Sequence, residues 1–130
     1  MTEIIRFPDG ELFLIELLKP RIAPVKVASL VPKQHTQSDK LVRVSRTGGS
    51  TKDIVTDGGT YLIECYAASV GDAHDLCAEV RAFALAAARL SDRVRRAVDG
   101  GGPAYLPDPD SGQPKYQCLV QLDMRGTATS

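Results

Sequence analysis

At 130 residues and 14.0 kDa the chain is sized for one domain, and a chain of this length buries roughly two-thirds of its unfolded surface, enough for a core without disulfides or metals. Lysine plus arginine and aspartate plus glutamate number 16 each, so the net charge is zero and the long-range field by which most nucleic-acid binders collect phosphates is missing. Hydrophobic residues make up 43% and charged ones 25%, and the longest apolar run, Ala82 to Ala88, falls far short of the ~20 residues of a membrane-crossing helix, which argues against both disorder and a transmembrane segment.

The chain opens without the pattern of a secretory signal. Phe7-Pro8-Asp9-Gly10-Glu11 predicts a helix start, with Asp9 as cap and Glu11 favoured at the positive helix end. This first helix is expected to run to about Lys19 and stop at Pro20. Leu12, Ile15 and Leu18 recur at helical spacing, and Phe13 and Leu17 widen the apolar stripe. From Val25 to Val31 a period-two pattern of Val25, Val27, Ser29 and Val31 predicts a strand ended by Pro32. Pro32 to Asp39 is polar and aperiodic, long for a connection in a small domain, and reads as a candidate contact arm.

Lys40 to Thr47 and Tyr61 to Ala67 alternate as two adjacent antiparallel strands, with Gly48-Gly49 and Asp57-Gly58-Gly59 as turns and Ile54 and Val55 pairing locally between them. Neither glycine pair fits a phosphate-binding loop. Ser69-Val70-Gly71-Asp72 has capping-box form and starts the clearest helix, whose inner face is Val70, Ala73, Cys77, Val80, Ala84, Ala87 and Leu90, flanked by Leu76 and Phe83. Its other side carries Ala78, Ala82, Leu85, Ala86 and Ala88 among Asp75, Glu79, Arg81 and Arg89. That surface fits either close approach of a neighbour or alanine's helix propensity alone.

Residues 93 to 98 read as a short edge strand in preference to a further helical turn. Gly100 to Pro114 is a Gly- and Pro-dense connection. Lys115 to Arg125 closes the domain as a strand with Cys118, Val120, Leu122 and Met124 inward and Gln117, Gln121, Asp123 and Arg125 outward, and Gly126 to Ser130 are expected to fray. The fold class that follows is α+β, a single mainly antiparallel sheet packed by one long and one shorter helix.

A catalytic reading needs a nucleophile with a base, or a metal set. His35 and His74 lack evident partners and read as solvent-exposed. His74, Cys77 and Cys65 make a conceivable three-ligand site, but without a recognised ligand spacing, so a buried thiol and a surface imidazole are the preferred account. Cys65, Cys77 and Cys118 are read as reduced core residues, and Asp108 and Asp110 as part of a turn. No catalytic residue, metal or cofactor is assigned. Arg43 and Arg46, on opposite faces of one strand, and Arg93, Arg95 and Arg96 serve either solubility or subunit contacts.

The order of short segments adds a further indication. Phe7-Pro8-Asp9 precedes the first helix; Leu41 to Gly49 (LVRVSRTGG), Val55-Thr56-Asp57, Ala73-His74-Asp75-Leu76, Gly102 to Asp108 (GPAYLPD), Ser111 to Tyr116 (SGQPKY) and Arg125-Gly126-Thr127 follow. In this order and spacing, nearly end to end, the chain resembles tail-terminator proteins of long-tailed bacteriophages, especially those infecting actinobacteria. The resemblance implies one tail-terminator domain over residues 1–130, a non-enzymatic subunit of a hexameric ring that caps the tail tube, ends its polymerisation and presents a joining surface for the head. Its implied partners are other copies of itself, the major tail tube protein and the head–tail connector proteins, with DNA only passing through the ring lumen and no membrane. The implied location is the head-proximal end of the virion tail, with assembly in the host cytoplasm. Candidate contact residues are Lys33, Gln34 and His35 in the polar loop, Arg43, Arg46, Gly48 and Gly49 around the expected hairpin, Ala82, Leu85 and Arg89 on the small-residue helix side, and Pro103, Tyr105 and Asp108 in the Pro-dense segment. Alternative readings are another neck protein, a stopper or adaptor, and a small metal- or ligand-binding domain.

Overall fold

The computed structural model describes residues 3–129. They form β1 (Ile4–Arg6), α1 (Gly10–Ile22), β2 (Lys26–Ala28), β3 (Leu41–Asp53), β4 (Thr56–Tyr66), α2 (Val70–Leu85), α3 (Ala87–Leu90), β5 (Val94–Tyr105), β6 (Lys115–Arg125) and β7 (Thr127–Thr129). Five strands make one sheet in the order β2-β3-β4-β6-β5, antiparallel except for the parallel β2–β3 pair. The class is α+β with a mainly antiparallel sheet, as its sequence pattern predicts.

A second, two-stranded sheet joins β1 to β7, with Ile5 opposite Ala128. This corrects the expected fraying of residues 126–129; Ser130 lies outside the described residues. Gly126 makes the pairing possible, since a Cβ there would collide with Ile5 and would lie 3.0 Å from the ring of Phe7.

Asp9 caps α1 as predicted, its Oδ1 accepting from the Leu12 amide at 3.0 Å. The helix does not stop at Pro20 but runs to Ile22. Proline removes one hydrogen bond near the helix end, and the last turn is held by burial of Ile22 and by Arg21, whose Nη1 donates to the Leu17 carbonyl at 2.7 Å. The buried face is Phe13, Leu14, Leu17, Leu18 and Ile22, whereas Leu12 is exposed and Ile15 half-buried. The stripe is thus rotated from the expected Leu12–Ile15–Leu18 line. In α2, Ser69 Oγ accepts from the Asp72 amide at 3.1 Å, and Ala73, Leu76, Cys77, Val80 and Ala84 are buried, with Ala87 continuing the line on α3. Val70 and Leu90, at the ends of the expected stripe, are exposed.

Helix residues and one sheet face make a single core: Leu14, Leu18, Val80 and Ala84 pack with Val42, Val44, Tyr61, Ile63, Val120, Leu122 and Met124. Cys65, Cys77 and Cys118 are part of it, all free thiols and all buried. Each thiol comes from a different element, β4, α2 and β6, and Cys77 lies beside both of the others. The hydrogen bond to Cys77, and then burial, push the Cys65 and Cys118 thiols up.

The β3–β4 hairpin is longer than expected. Both glycine pairs lie inside the strands, Gly49 opposite Gly59 and Ser50 opposite Gly58, and the chain reverses between Asp53 and Thr56. The pairing register shifts between Arg46 and Gly48, and Gly49 has φ +95. A side chain at Gly49 would strike the Gly58 carbonyl. Glycine is required here by a bulge and a close strand approach, not by a turn. The strand expected from Val25 to Val31 is only Lys26–Ala28; Val27 is buried, while Leu30 and Val31 are exposed. Because β2 runs parallel to β3, residues 29–40 must return the chain across the sheet end, and parallel pairs need connections of about a dozen residues. Topology alone therefore accounts for the length of the polar loop.

Of residues 93–98, all but Arg93 enter a strand, and that strand continues through Gly100–Tyr105, which sequence pattern assigned to a connection. Its place at the sheet edge explains this: an edge strand tolerates Pro103 because one side of its backbone has no ladder partner. Positive φ at Gly101 and Gly102 absorbs the register shifts. β6 has the predicted bounds and inward residues, but Asp123, expected outward in solvent, is buried.

Candidate assembly surfaces

The outer sheet face, opposite the helices, alternates out of phase with the core. Arg43 and Ser45 of β3, Leu62 and Glu64 of β4, and Lys115, Gln117, Leu119 and Gln121 of β6 lie on it by register. Ser45, Leu62, Gln117, Leu119 and Gln121 are half-buried. At one end of this face the connection 29–40 and the segment 106–114 wrap over Leu41 and Tyr66, which are fully or almost fully buried.

The fastening of that wrap is Gln113, only 2% exposed. Its Nε2 donates to the Asp39 carbonyl at 3.0 Å and the Ala67 carbonyl at 3.3 Å, and its Oε1 is 2.7 Å from His35 Nε2. Gln37 Nε2 donates to the Ser111 carbonyl at 2.5 Å. His35 is half-buried, edge-on to Tyr66 at 5.8 Å, so the expected solvent-exposed histidine is in fact a docked one. The candidate contact arm is a latched loop. It brings together two predicted contact groups, Lys33, Gln34 and His35 from one segment and Asp108 from the other. Asp108 caps its own turn, accepting from the Ser111 amide and hydroxyl, each at 2.8 Å, which holds its carboxyl below the usual range.

Next to the latch, Glu64 is buried between two cations: Lys115 Nζ lies 2.7 Å from Oε2, and Arg43 Nη1 lies 3.4 Å from Oε1. Arg43 also donates from Nε to the Ser29 carbonyl at 3.1 Å. On the opposite, helix-bearing face of β3, Arg46 forms a bidentate pair with Asp57, at 2.6 and 3.1 Å, and lies 5.9 Å from the Tyr61 ring centroid. Arg43 and Arg46 were both candidate contact residues; both have internal partners. Gly48 and Gly49 shape the bulge beside Arg46, and Arg46 Nε donates to the Gly48 carbonyl at 3.1 Å.

Ala82 of α2 and Arg89 of α3 are exposed, whereas Leu85 is half-buried and packs against the core. Pro103 and Tyr105 are exposed on the β5 edge. Tyr105 packs against Tyr116 at 5.3 Å, and His74 meets Tyr116 edge-on at 5.1 Å. His74 thus belongs to a surface aromatic row and Cys77 to the core. Among the described residues, no group of three or more His, Cys, Asp or Glu side chains is arranged to hold a metal ion.

The predicted contact residues therefore fall on separate surfaces: the latched end with Arg43 beside it, the β3 bulge, the α2–α3 side and the β5 edge. Gln113, Lys115 and Asp123 are buried polar groups that the sequence pattern does not mark. Comparison with protein-family models gives no match, and comparison with curated proteins gives none either.

Proposed function

We propose that this chain is a structural subunit of a long-tailed phage, a tail terminator that assembles as a ring on the finished tail tube. The observation that carries this reading is the ordered run of segments from Phe7-Pro8-Asp9 to Arg125-Gly126-Thr127. The architecture supports it in one respect. The five-stranded sheet ends in two different strands, β2 and β5, and leaves its outer face without a helix, so one copy presents different surfaces on opposite sides. Contacts between unlike surfaces generate rings when the rotation per subunit closes.

The mechanism is then steric: one ring face matches the last tube ring, the other does not repeat it, and growth stops. Native mass spectrometry of the purified chain, alone and mixed with tail tubes, tests the assembly half; a hexamer forming on the tube is the expected result. Deleting the gene from the phage tests the biological half. Overlong tails without heads support the reading, whereas tails of normal length lacking heads favour a stopper or adaptor.

A further inference from the structure

Where the two chain ends meet the start of β5, a cleft of about 270 Å³ opens. Three arginines line it: Arg6 from β1, Arg93 just before β5, and Arg125 from the end of β6. Backbone pairing sets their convergence. The Arg125 amide donates to the Arg93 carbonyl at 2.9 Å, and Arg6 stands opposite Thr127, whose residue also lines the cleft. Phe7 and Pro8 form an apolar wall.

The charges in this cleft do not balance. Arg43, Arg46 and Arg81 each have a carboxylate partner, but Arg6, Arg93 and Arg125 make no ion pair among the described residues. The one carboxylate in the lining is Asp9, and its Oδ1 already caps α1. Arg125 is oriented by donating from Nη1 to the backbone carbonyl of Asp92, a contact that leaves its charge uncompensated. Three guanidiniums offer planar donor forks that match tetrahedral oxyanions, and charge-assisted bonds of this kind are among the strongest available to a surface site. We propose that Arg6, Arg93 and Arg125 form a binding site for an oxyanion of the phosphate class.

The site takes either a free phosphate-type anion or a phosphodiester of nucleic acid, and the test separates these sources. The full chain is titrated with pyrophosphate, and separately with a ten-nucleotide oligothymidylate, by NMR at constant ionic strength in chloride buffer. Saturable shifts centred on Phe7, Arg93 and Thr127 are expected. Arg93→Ala and Arg6→Ala should each weaken binding by about tenfold, and Arg6→Lys, which keeps charge but loses the fork, should weaken it less than Arg6→Ala. Arg89→Ala, an exposed arginine outside the cleft, should change nothing. Binding of both probes with the same arginine dependence assigns the phosphodiester source; binding of pyrophosphate alone assigns a free anion. Absence of saturable binding, equal weakening by Arg89→Ala, or acetate binding as tightly as pyrophosphate overturns the proposal.

Discussion

On the helix side of the sheet Leu14, Leu18, Val42, Ile63 and Val80 are fully buried, each surrounded by other apolar side chains; on the outer side the most deeply buried groups include Gln113, Glu64, Lys115 and Asp123. The first face is closed by a non-directional force that scales with area. The second is closed by a few directional contacts, each of which matters only if every partner is present. The difference teaches where the chain tolerates change. Apolar swaps of similar volume should be absorbed by the helix side, while single polar deletions outside should act as if one fastening had been cut.

The largest effect belongs to the helix side. Leu18→Ala removes a fully buried side chain from the core that also holds Val42 and Val80 and should cost about 3–5 kcal/mol, read as a drop in the urea midpoint with little change in slope. A loss below about 1 kcal/mol would mean that α1 repacks freely and that the two faces do not differ as argued.

On the outer face, the two carboxylates Glu64 and Asp123 offer an internal comparison. Glu64 has two cations and both oxygens engaged, whereas Asp123 has only Lys52, at 3.0 Å, and its Oδ1 is buried without a hydrogen-bond partner. Glu64→Gln should leave Lys115 buried beside a neutral amide and cost about 2–3 kcal/mol, less than the full figure for a broken buried pair because Lys115 can swing its ammonium toward water. Asp123→Asn should change stability by no more than about 0.5 kcal/mol, since it relieves an unsatisfied charged oxygen while losing one part-exposed pair. Equal losses in both variants would sink the distinction between a satisfied and a half-satisfied buried charge.

Gln113→Ala comes next. It removes the donor to Asp39 and Ala67 and the partner of His35, so about 1–2 kcal/mol is expected. The loss should be local: hydrogen exchange across residues 33–40 and 106–114 should accelerate while α2 stays protected. Uniform acceleration over the whole chain would show that the latch is not a separate opening unit.

The contrast between faces also explains what the residues disclosed before folding. Ser69, Asp9, the α2 line from Ala73 to Ala84 and the β6 alternation are local signals whose period is fixed by the backbone, so they could be read directly. The rotation of the α1 stripe, from Leu12 to Leu14, was not legible, because Leu12 to Leu18 is apolar almost all round and only the sheet decides which side is covered. The glycine pairs misled for a related reason: Gly49 and Gly59 are needed where strands approach across a bulge, a requirement of pairing and not of turning. Gln113 and Lys115 gave no periodic sign at all, since a buried polar residue is defined by partners 46 to 78 residues away. Among the charged candidate contact residues, Lys33 is exposed, while Arg43 and Arg46 have partners within the chain that no local pattern announces.

The smallest expected effect concerns pH, and it too divides the two sides. Asp39, Asp53, Asp99 and Asp108 are held below the usual carboxylate range, each first by a backbone amide: Thr36, Val55, Gly101 and Ser111 respectively. Asp39 and Asp108 lie beside turns, Asp53 ends β3 and Asp99 is in β5, so none is on a helix. A carboxylate whose folded pKa is depressed contributes stability that is present above its unfolded value, near 4, and is lost as pH falls through the lower folded value. Acidification from about pH 5 to pH 2 should therefore loosen the wrapping segments around Asp39 and Asp108 before α2, whose apolar burial and Ser69 cap do not titrate. The measurement is protection against hydrogen exchange, corrected for the intrinsic rate at each pH, for peptides covering 33–40, 106–114 and 70–85. Earlier loss from 70–85 would place the acid-sensitive contacts on the helix side and reverse the comparison, while Asp108→Asn, which keeps an acceptor for Ser111 but cannot titrate, should flatten the response of 106–114 alone.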